Sequence, residues 1–202
     1  MEFLLIVSAH FLALLSPGPD FFLIMQASLR LPLRYAVAIC LGIAMANGVY
    51  LLFAVVGLEV VREMSWLLSI LKCLGAAYLV FLGVALLRAP RQSVENRTSS
   101  SFLQVKSFKR QFFIGFLSAI LNPKNAIFYL SLFTVMVSGQ TEFITRCLYA
   151  LWMMSVVFIW DCCVVIAMGS EKVKRKLGRS IGYIEKVSGA ALALFGIFLP
   201  FV

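Results

Sequence analysis

Three ionisable side chains lie deep inside long apolar stretches of this sequence. Asp20 follows Ser16-Pro17-Gly18-Pro19, Lys124 follows Asn122-Pro123, and Asp161 lies within a later apolar run. A charge at the centre of a bilayer costs at least about 2.5–3.5 kcal/mol on insertion scales, so such residues are expected to face a cavity and to carry function. A simpler interpretation, in which Asp20 and Lys124 only neutralise each other as a buried pair, stays open.

The prolines beside Asp20 and Lys124 must interrupt their helices, because proline has no N–H to donate. The carbonyl groups that lose a helical partner are those of Ala13, Leu15 and Ala119. An unsatisfied carbonyl in lipid costs several kcal/mol, so both breaks must face protein, water or a ligand. A pair of packed proline kinks without a ligand is the simpler alternative.

Each break also starts a new half-helix. Gly18 adds freedom to unwind, and Ser16 and Asn122 directly precede a proline, where their side chains can cap the half-helix that follows. Half-helix starts carry partial positive charge and suit a carboxylate, whereas freed carbonyls suit an ammonium group or a cation. Together the two breaks predict a site for a zwitterion.

The composition explains why these breaks must lie in a membrane. The chain has 202 residues, of which 62% are hydrophobic and 13% are charged, and its mean hydropathy is +0.97. Soluble globular chains carry roughly 45–50% apolar and about 25% charged residues, so a soluble globule is excluded. The net charge of +9 does not indicate nucleic-acid binding, because the basic residues fall in short loops without exposed aromatic residues between them.

Six apolar runs are long enough to cross a bilayer as helices. They cover about residues 3–27, 36–58, 66–87, 111–138, 146–169 and 184–202. Fourteen of the 18 basic residues follow the first, third and fifth runs, whereas Arg62, Lys72 and Arg146 lie on the opposite side and Lys124 lies inside a span. Positive loops stay cytoplasmic, so we expect both termini outside. The polar stretch 88–110 is expected to be a cytoplasmic linker.

The two halves of the chain resemble each other. Residues 72–77 and 186–191 share a Lys and a Gly-Ala-Ala, each followed by a Phe, and the proline breaks recur in the same order. With three helices in each half, the second half would cross the membrane in the opposite direction to the first. We therefore expect one all-α domain over residues 1–202, built from inverted repeats at about 1–87 and 111–202, with the first and fourth helices broken at proline.

The remaining residues predict packing. Ala38, Gly42 and Ala46 recur every fourth position in the second span beside Asn47, a pattern that favours close helix contacts over a ligand site and leaves a homo-oligomer open. His10 is expected to be a packed, neutral side chain. The sequence shows neither CxxC motifs nor nucleotide, metal or catalytic signatures, so we expect no enzyme, no cofactor and no metal site.

The motifs around the breaks resemble those of the LysE/RhtB family of bacterial amino-acid exporters. The resemblance covers Ser16 to Phe22, then Gly75 with Tyr78-Leu79 and Gly83, then Gly115 with Asn122-Pro123-Lys124, and it is strongest to the threonine and homoserine exporter branch. It implies efflux of neutral or basic amino acids across the bacterial inner membrane, driven by a gradient of protons or other ions. Asp161, next to Cys162-Cys163, departs from the family pattern.

The resemblance implies that the matching residues hold the substrate and the coupling ion. The candidate site residues are Ser16, Pro17, Gly18, Pro19, Asp20, Asn122, Pro123, Lys124 and Asp161. We expect the substrate carboxylate at Lys124 and the half-helix start after Asn122, the ammonium at Asp20, and a proton at Asp20 or Asp161. Asp161 could instead pair with Lys124 or with the region of Lys172. A six-helix thiol carrier and a passive pore or accessory subunit are the alternatives.

Overall fold

The computed structural model describes residues 2–15, 18–61 and 106–170, together with isolated positions between 73 and 88 and between 183 and 197. Every regular element in the three continuous ranges is a helix. They are α1 (Glu2–Leu15), α2 (Pro19–Arg30), α3 (Leu33–Val61), α4 (Phe108–Ile120), α5 (Pro123–Met136) and α6 (Phe143–Ala167).

These helices account for four of the six predicted spans. Leu33–Gly57 of α3 and Phe143–Ala167 of α6 are continuous apolar stretches of 25 residues, long enough to cross a bilayer. The pair α1 and α2 is bent by 56° at its break, and the pair α4 and α5 by 61°. The prediction that the first and fourth spans are broken at proline is confirmed, and the chain is a membrane protein.

Local sequence sets the ends of the broken helices. Both α2 and α5 begin with a proline, Pro19 or Pro123, as their first residue, a position where the missing N–H costs nothing. The other end of α2 lies at Arg30, because Leu31 precedes Pro32 and adopts an extended conformation. Proline thus defines where each half-helix starts and stops.

Helix α3 lies at the centre and packs on α2, α4, α5 and α6, most extensively on α4. Gly42 and Gly115 make that contact close. A Cβ atom on Gly42 would lie 2.1 Å from the carbonyl oxygen of Phe112, and one on Gly115 would lie 2.2 Å from that of Ile39. The small residues of the second span therefore do pack against another helix of the same chain, as the sequence predicts.

One end of the bundle joins the N-terminus to the turn between α5 and α6. The Glu2 carboxylate accepts hydrogen bonds from the Thr141 hydroxyl at 2.8 Å and from the Ser138 N–H at 3.2 Å. Arg146 donates from Nε to the Thr141 carbonyl at 2.8 Å. These contacts place the N-terminus and the α5–α6 turn on the same side of the membrane domain.

The outward faces of the long helices are apolar. Phe53 and Leu52 on α3, and Ile159 and Ile166 on α6, are all more than half exposed. Such surfaces suit contact with lipid chains.

Several sequence predictions fall on other parts of the chain. Most residues of the third and sixth spans, of the paired Gly-Ala-Ala segments and of the predicted linker lie outside the described residues, so the six-span inverted repeat stays a prediction. Helix α4 begins at Phe108, close to the end of the stretch predicted as a linker, because Ser107 serves as its N-cap.

Candidate binding cavity at the two helix breaks

A cavity lies where the two broken spans meet α3 and α6. Its volume is about 70 Å³, several times the roughly 10–15 Å³ that one buried water needs. Polar and charged side chains from every side of the bundle line it, namely His10, Asp20, Asn47, Asn122, Lys124, Asn125, Tyr129 and Asp161. A small polar solute therefore fits this cavity better than a single water molecule does.

Asp20 is anchored to the other break by three side-chain hydrogen bonds. Its Oδ1 accepts from the Ser118 hydroxyl at 2.7 Å, and its Oδ2 accepts from Asn125 at 2.7 Å and from Asn122 at 3.3 Å. Asn122 and Asn125 lie at the N-cap and in the first turn of α5. The carboxylate of Asp20 therefore lies beside the half-helix start that was expected to receive the substrate carboxylate, where the helix dipole stabilises it.

Lys124 makes the reciprocal contact, from α5 to the start of α2. A Cβ atom on Gly18 would lie 3.3 Å from Lys124 Nζ and 3.6 Å from Lys124 Cδ. The ammonium group of α5 therefore borders the N-cap of α2, and both residues line the cavity. The absence of a side chain at Gly18 leaves the room that the lysine occupies.

The two half-helices are capped differently. Asn122 is the N-cap of α5, and its Oδ1 accepts from the Lys124 N–H at 3.0 Å, which confirms the predicted cap. The N-cap of α2 is Gly18, which has no side chain to accept a capping hydrogen bond, and Ser16, the cap expected there, lies outside the described residues. The second proline explains the difference, since α2 begins at Pro19 rather than at Pro17.

The carbonyl freed by Pro123 finds another partner within the chain. Ala119 accepts from the Asn122 N–H at 3.2 Å in a tight turn, and the next carbonyl, that of Ile120, accepts from the Tyr50 hydroxyl of α3. These hydrogen bonds satisfy the backbone at the break without a ligand.

Asp161 and Asn47 face the cavity from α6 and α3. Both side chains are buried, with 7% and 3% of their surface exposed. Within the described part of the chain, Asp161 Oδ2 and Asn47 Oδ1 have no hydrogen-bond partner. The sequence singled out Asp161 as the third deep charge but placed Asn47 with the packing residues.

His10 is packed among aromatic rings, as its isolated position in the sequence predicts. Its ring lies 5.8 Å from Tyr129, 6.0 Å from Trp152 and 6.4 Å from Phe128, centroid to centroid. Its Nε2 lies 3.4 Å from the Tyr129 hydroxyl. The same side chain also forms part of the cavity wall.

The structure thus brings together Gly18, Asp20, Asn122, Lys124 and Asp161 of the predicted site. Pro19 and Pro123 start the two half-helices, and Ser16 and Pro17 lie outside the described residues.

Sequence reasoning missed two partners of Asp20, Ser118 and Asn125. A signal for them exists, because Ser118, Asn122 and Asn125 follow the spacing i, i+4 and i+7. In an unbroken helix that spacing would place the three polar side chains on one face.

Known proteins resemble this chain over almost its whole length. It is 30% identical to a threonine efflux protein of Salmonella typhi over 201 residues, covering 98% of this chain and 97% of that protein. It is 28% identical to a threonine efflux protein of Escherichia coli K12 over the same shares of the two chains.

No solved structure matches the chain significantly. The profile of the LysE type translocator family matches residues 11–201, which include both helix breaks and every residue named around the cavity except His10. This chain belongs to the LysE type translocator family.

Proposed function

We propose that this chain exports a neutral amino acid such as threonine or homoserine from the cytoplasm. The observation that carries the proposal is a cavity at the two helix breaks, lined by the acids Asp20 and Asp161 and the base Lys124. A zwitterion carries both signs of charge, and intramembrane charges are retained where they bind a substrate or an ion. Relatives named as threonine efflux proteins support the same substrate class.

The substrate carboxylate binds at Lys124, next to the start of α2. Gly18 has no side chain to occupy the space beside the lysine ammonium group. The start of α2 adds partial positive charge on that side of the cavity. This location differs from the start of α5, where the carboxylate of Asp20 already accepts hydrogen bonds from Asn122 and Asn125.

Export is driven by proton antiport. A proton that enters from outside binds Asp20 or Asp161, and the cavity opens alternately to the two sides as one half of the protein rocks against the other. The two bends, 56° and 61°, supply a discontinuity in each half at which such a motion can occur. The proposal includes inverted three-helix repeats and a location in the bacterial inner membrane.

Both termini face outside in this arrangement. The basic loops after the first, third and fifth predicted spans stay in the cytoplasm. The contact of Glu2 with Thr141 supports placing the N-terminus and the turn after the fourth predicted span on the same side of the membrane, because it joins them.

The test is efflux of preloaded radiolabelled threonine, homoserine, leucine, lysine and arginine from cells that express the chain, with and without a protonophore. We expect one neutral amino acid to leave faster than from empty-vector cells, and we expect the protonophore to stop it. If no labelled amino acid leaves faster than from empty-vector cells, despite verified expression in the membrane, export of these substrates is refuted.

Counterflow separates a carrier from the other membrane functions. A carrier in proteoliposomes exchanges external labelled for internal unlabelled amino acid, whereas a passive pore or an accessory subunit does not. A thiol carrier would need cysteines in the broken spans, and α1, α2, α4 and α5 contain none.

A further inference from the structure

Two buried oxygen atoms in the cavity wall have no hydrogen-bond partner among the residues that the structure describes. They are Oδ1 of Asn47 on α3 and Oδ2 of Asp161 on α6, in side chains that are 3% and 7% exposed. Buried polar atoms in folded proteins are nearly always paired, because an unpaired one destabilises the fold. Two such atoms in one cavity therefore indicate a missing donor.

The chemistry of the two atoms defines that donor. The amide oxygen of Asn47 accepts hydrogen bonds, as does a carboxylate oxygen such as Asp161 Oδ2, and no described residue donates to either. A single partner for both must bring at least two N–H or O–H groups, and a positive charge would match a carboxylate. An ammonium group has three N–H donors and no acceptor.

The surroundings of these atoms strengthen such a contact. Ile43 lies one turn before Asn47 on α3, Val157 lies one turn before Asp161 on α6, and both apolar side chains line the cavity. An apolar wall excludes water, which makes a charge-assisted hydrogen bond stronger than it is in solvent.

Asp20, the other acid of the cavity, is less available. Ser118, Asn122 and Asn125 already donate to its two oxygens. A carboxylate offers about four lone-pair sites, so three of them are in use. Asn47 on α3 and Asp161 on α6 therefore offer more open acceptor capacity than Asp20 does.

We propose that Asn47 and Asp161 form the subsite that receives the substrate's ammonium group. The proposal rests on the proposed function, because it assumes an amino-acid substrate, and it moves the ammonium away from Asp20. Lys124 then takes the carboxylate, and the two charged ends of the substrate are recognised by different helices. Asn47 becomes a specificity residue of a span whose pattern otherwise indicates packing.

The test measures whether these two residues recognise the amine. Binding of threonine, homoserine and leucine to the purified protein at fixed pH is compared with binding of the 2-hydroxy acids that have the same side chains. The variants are Asp161→Asn, which keeps the shape, and Asn47→Leu, which removes the acceptor at similar volume. Ser155→Ala is the control, because Ser155 is an exposed residue of α6 whose hydroxyl donates to the Leu151 carbonyl of its own helix.

We expect Asp161→Asn to weaken binding of the amino acid at least about tenfold and to change binding of the hydroxy acid less than about twofold, as loss of a hydrogen bond to a charged group predicts. Asn47→Leu should act in the same direction by about threefold to tenfold. Ser155→Ala should bind both compounds like the wild type. Should Asp161→Asn not yield folded protein, Asn47→Leu decides alone.

Other outcomes overturn the assignment. Equal losses for the amino acid and the hydroxy acid would mean a structural role. Unchanged selectivity for the amine, with only proton-driven efflux lost, would mean that Asp161 carries the coupling proton alone. Loss of amine selectivity in Asp20→Asn instead would place the ammonium at Asp20. A wild-type protein that binds none of the three amino acids would refute the proposed function itself.

Discussion

The two helix breaks have similar geometry but differ in chemistry. Both bend their span by a similar angle, 56° and 61°, and both start the next half-helix with a proline. The break before α5 is capped by the side chain of Asn122, whereas the break before α2 has Gly18 at the cap position. The first turn of α2 carries an acid, Asp20, and the first turn of α5 carries a base, Lys124.

The difference matters because each break completes the other. Asp20 of α2 binds the cap and first turn of α5, while Lys124 of α5 lies beside the cap of α2. A helix start with a lysine in its first turn is electrostatically unfavourable, and the carboxylate of Asp20 offsets that. Two identical breaks would bring like charges together, so a zwitterion site requires that the two halves diverge.

Removing the acid should have the largest effect. In Asp20→Asn the new amide brings N–H groups against the donors Ser118, Asn122 and Asn125, so two or three hydrogen bonds to a charged acceptor are lost, each worth about 1.5–3 kcal/mol. We expect efflux to fall more than about tenfold while protein remains detectable in the membrane. Radiolabel efflux and membrane immunoblots measure the two quantities.

Glu142→Gln is the matched control, because Glu142 is an exposed acid at the N-cap of α6. The double variant Asp20→Asn with Asn125→Asp puts an acceptor back between the two breaks, and we expect it to recover thermal stability but not efflux. Normal efflux in Asp20→Asn would contradict the role of the acid.

Removing the base should weaken binding without weakening the fold. Lys124 lies in the first turn of α5, where a positive charge opposes the helix dipole, so Lys124→Gln should not destabilise that helix. Loss of a charge-assisted contact should raise the substrate concentration for half-maximal counterflow about tenfold. Lys109→Gln, in the exposed first turn of α4, serves as the control. An unchanged apparent affinity would show that Lys124 has a purely structural role.

The sequence predicted the parts of this site that depend on local chemistry. Proline has the same effect in any helix, so the broken first and fourth spans followed from Pro19 and Pro123. Deep charges in lipid are costly wherever they occur, so such residues were expected to face a cavity, and Asp20, Lys124 and Asp161 line the same one.

Contacts between distant segments did not follow from the sequence. Asp20 binds Ser118 and Asn125, which are 98 and 105 residues away, and that pairing depends on how far two separate bends turn. Asn47 was not predicted to face the cavity, for another reason. It follows Ala46 in a row of small residues, and that row indicates a close helix contact without indicating what the next residue faces.

The cap on α5 should make a smaller contribution than either charge. Asn122→Ala removes the acceptor for the Lys124 N–H and a long hydrogen bond to Asp20, which costs about 1 kcal/mol. We expect the melting temperature in detergent to fall by about 2–4 °C. Asn122→Ser keeps a capping oxygen and should lose less. Ser107→Ala, which removes a 3.4 Å cap of α4 away from the breaks, is the comparison, and an equal loss there would contradict a special role for the break.

Gly18→Ala should have the smallest effect and tests whether the first break needs an empty cap position. The Gly18 backbone has φ of −123°, which any residue adopts, so the substitution adds no backbone strain. The new Cβ would lie 3.3 Å from Lys124 Nζ, the end of a flexible side chain that can move by a few tenths of an ångström. We therefore expect unchanged stability and a twofold to threefold weaker apparent affinity, about 0.4–0.7 kcal/mol, in counterflow. Gly57→Ala, where a Cβ meets nothing within 4 Å, is the control. An affinity like that of the control would mean that the substrate does not approach the start of α2.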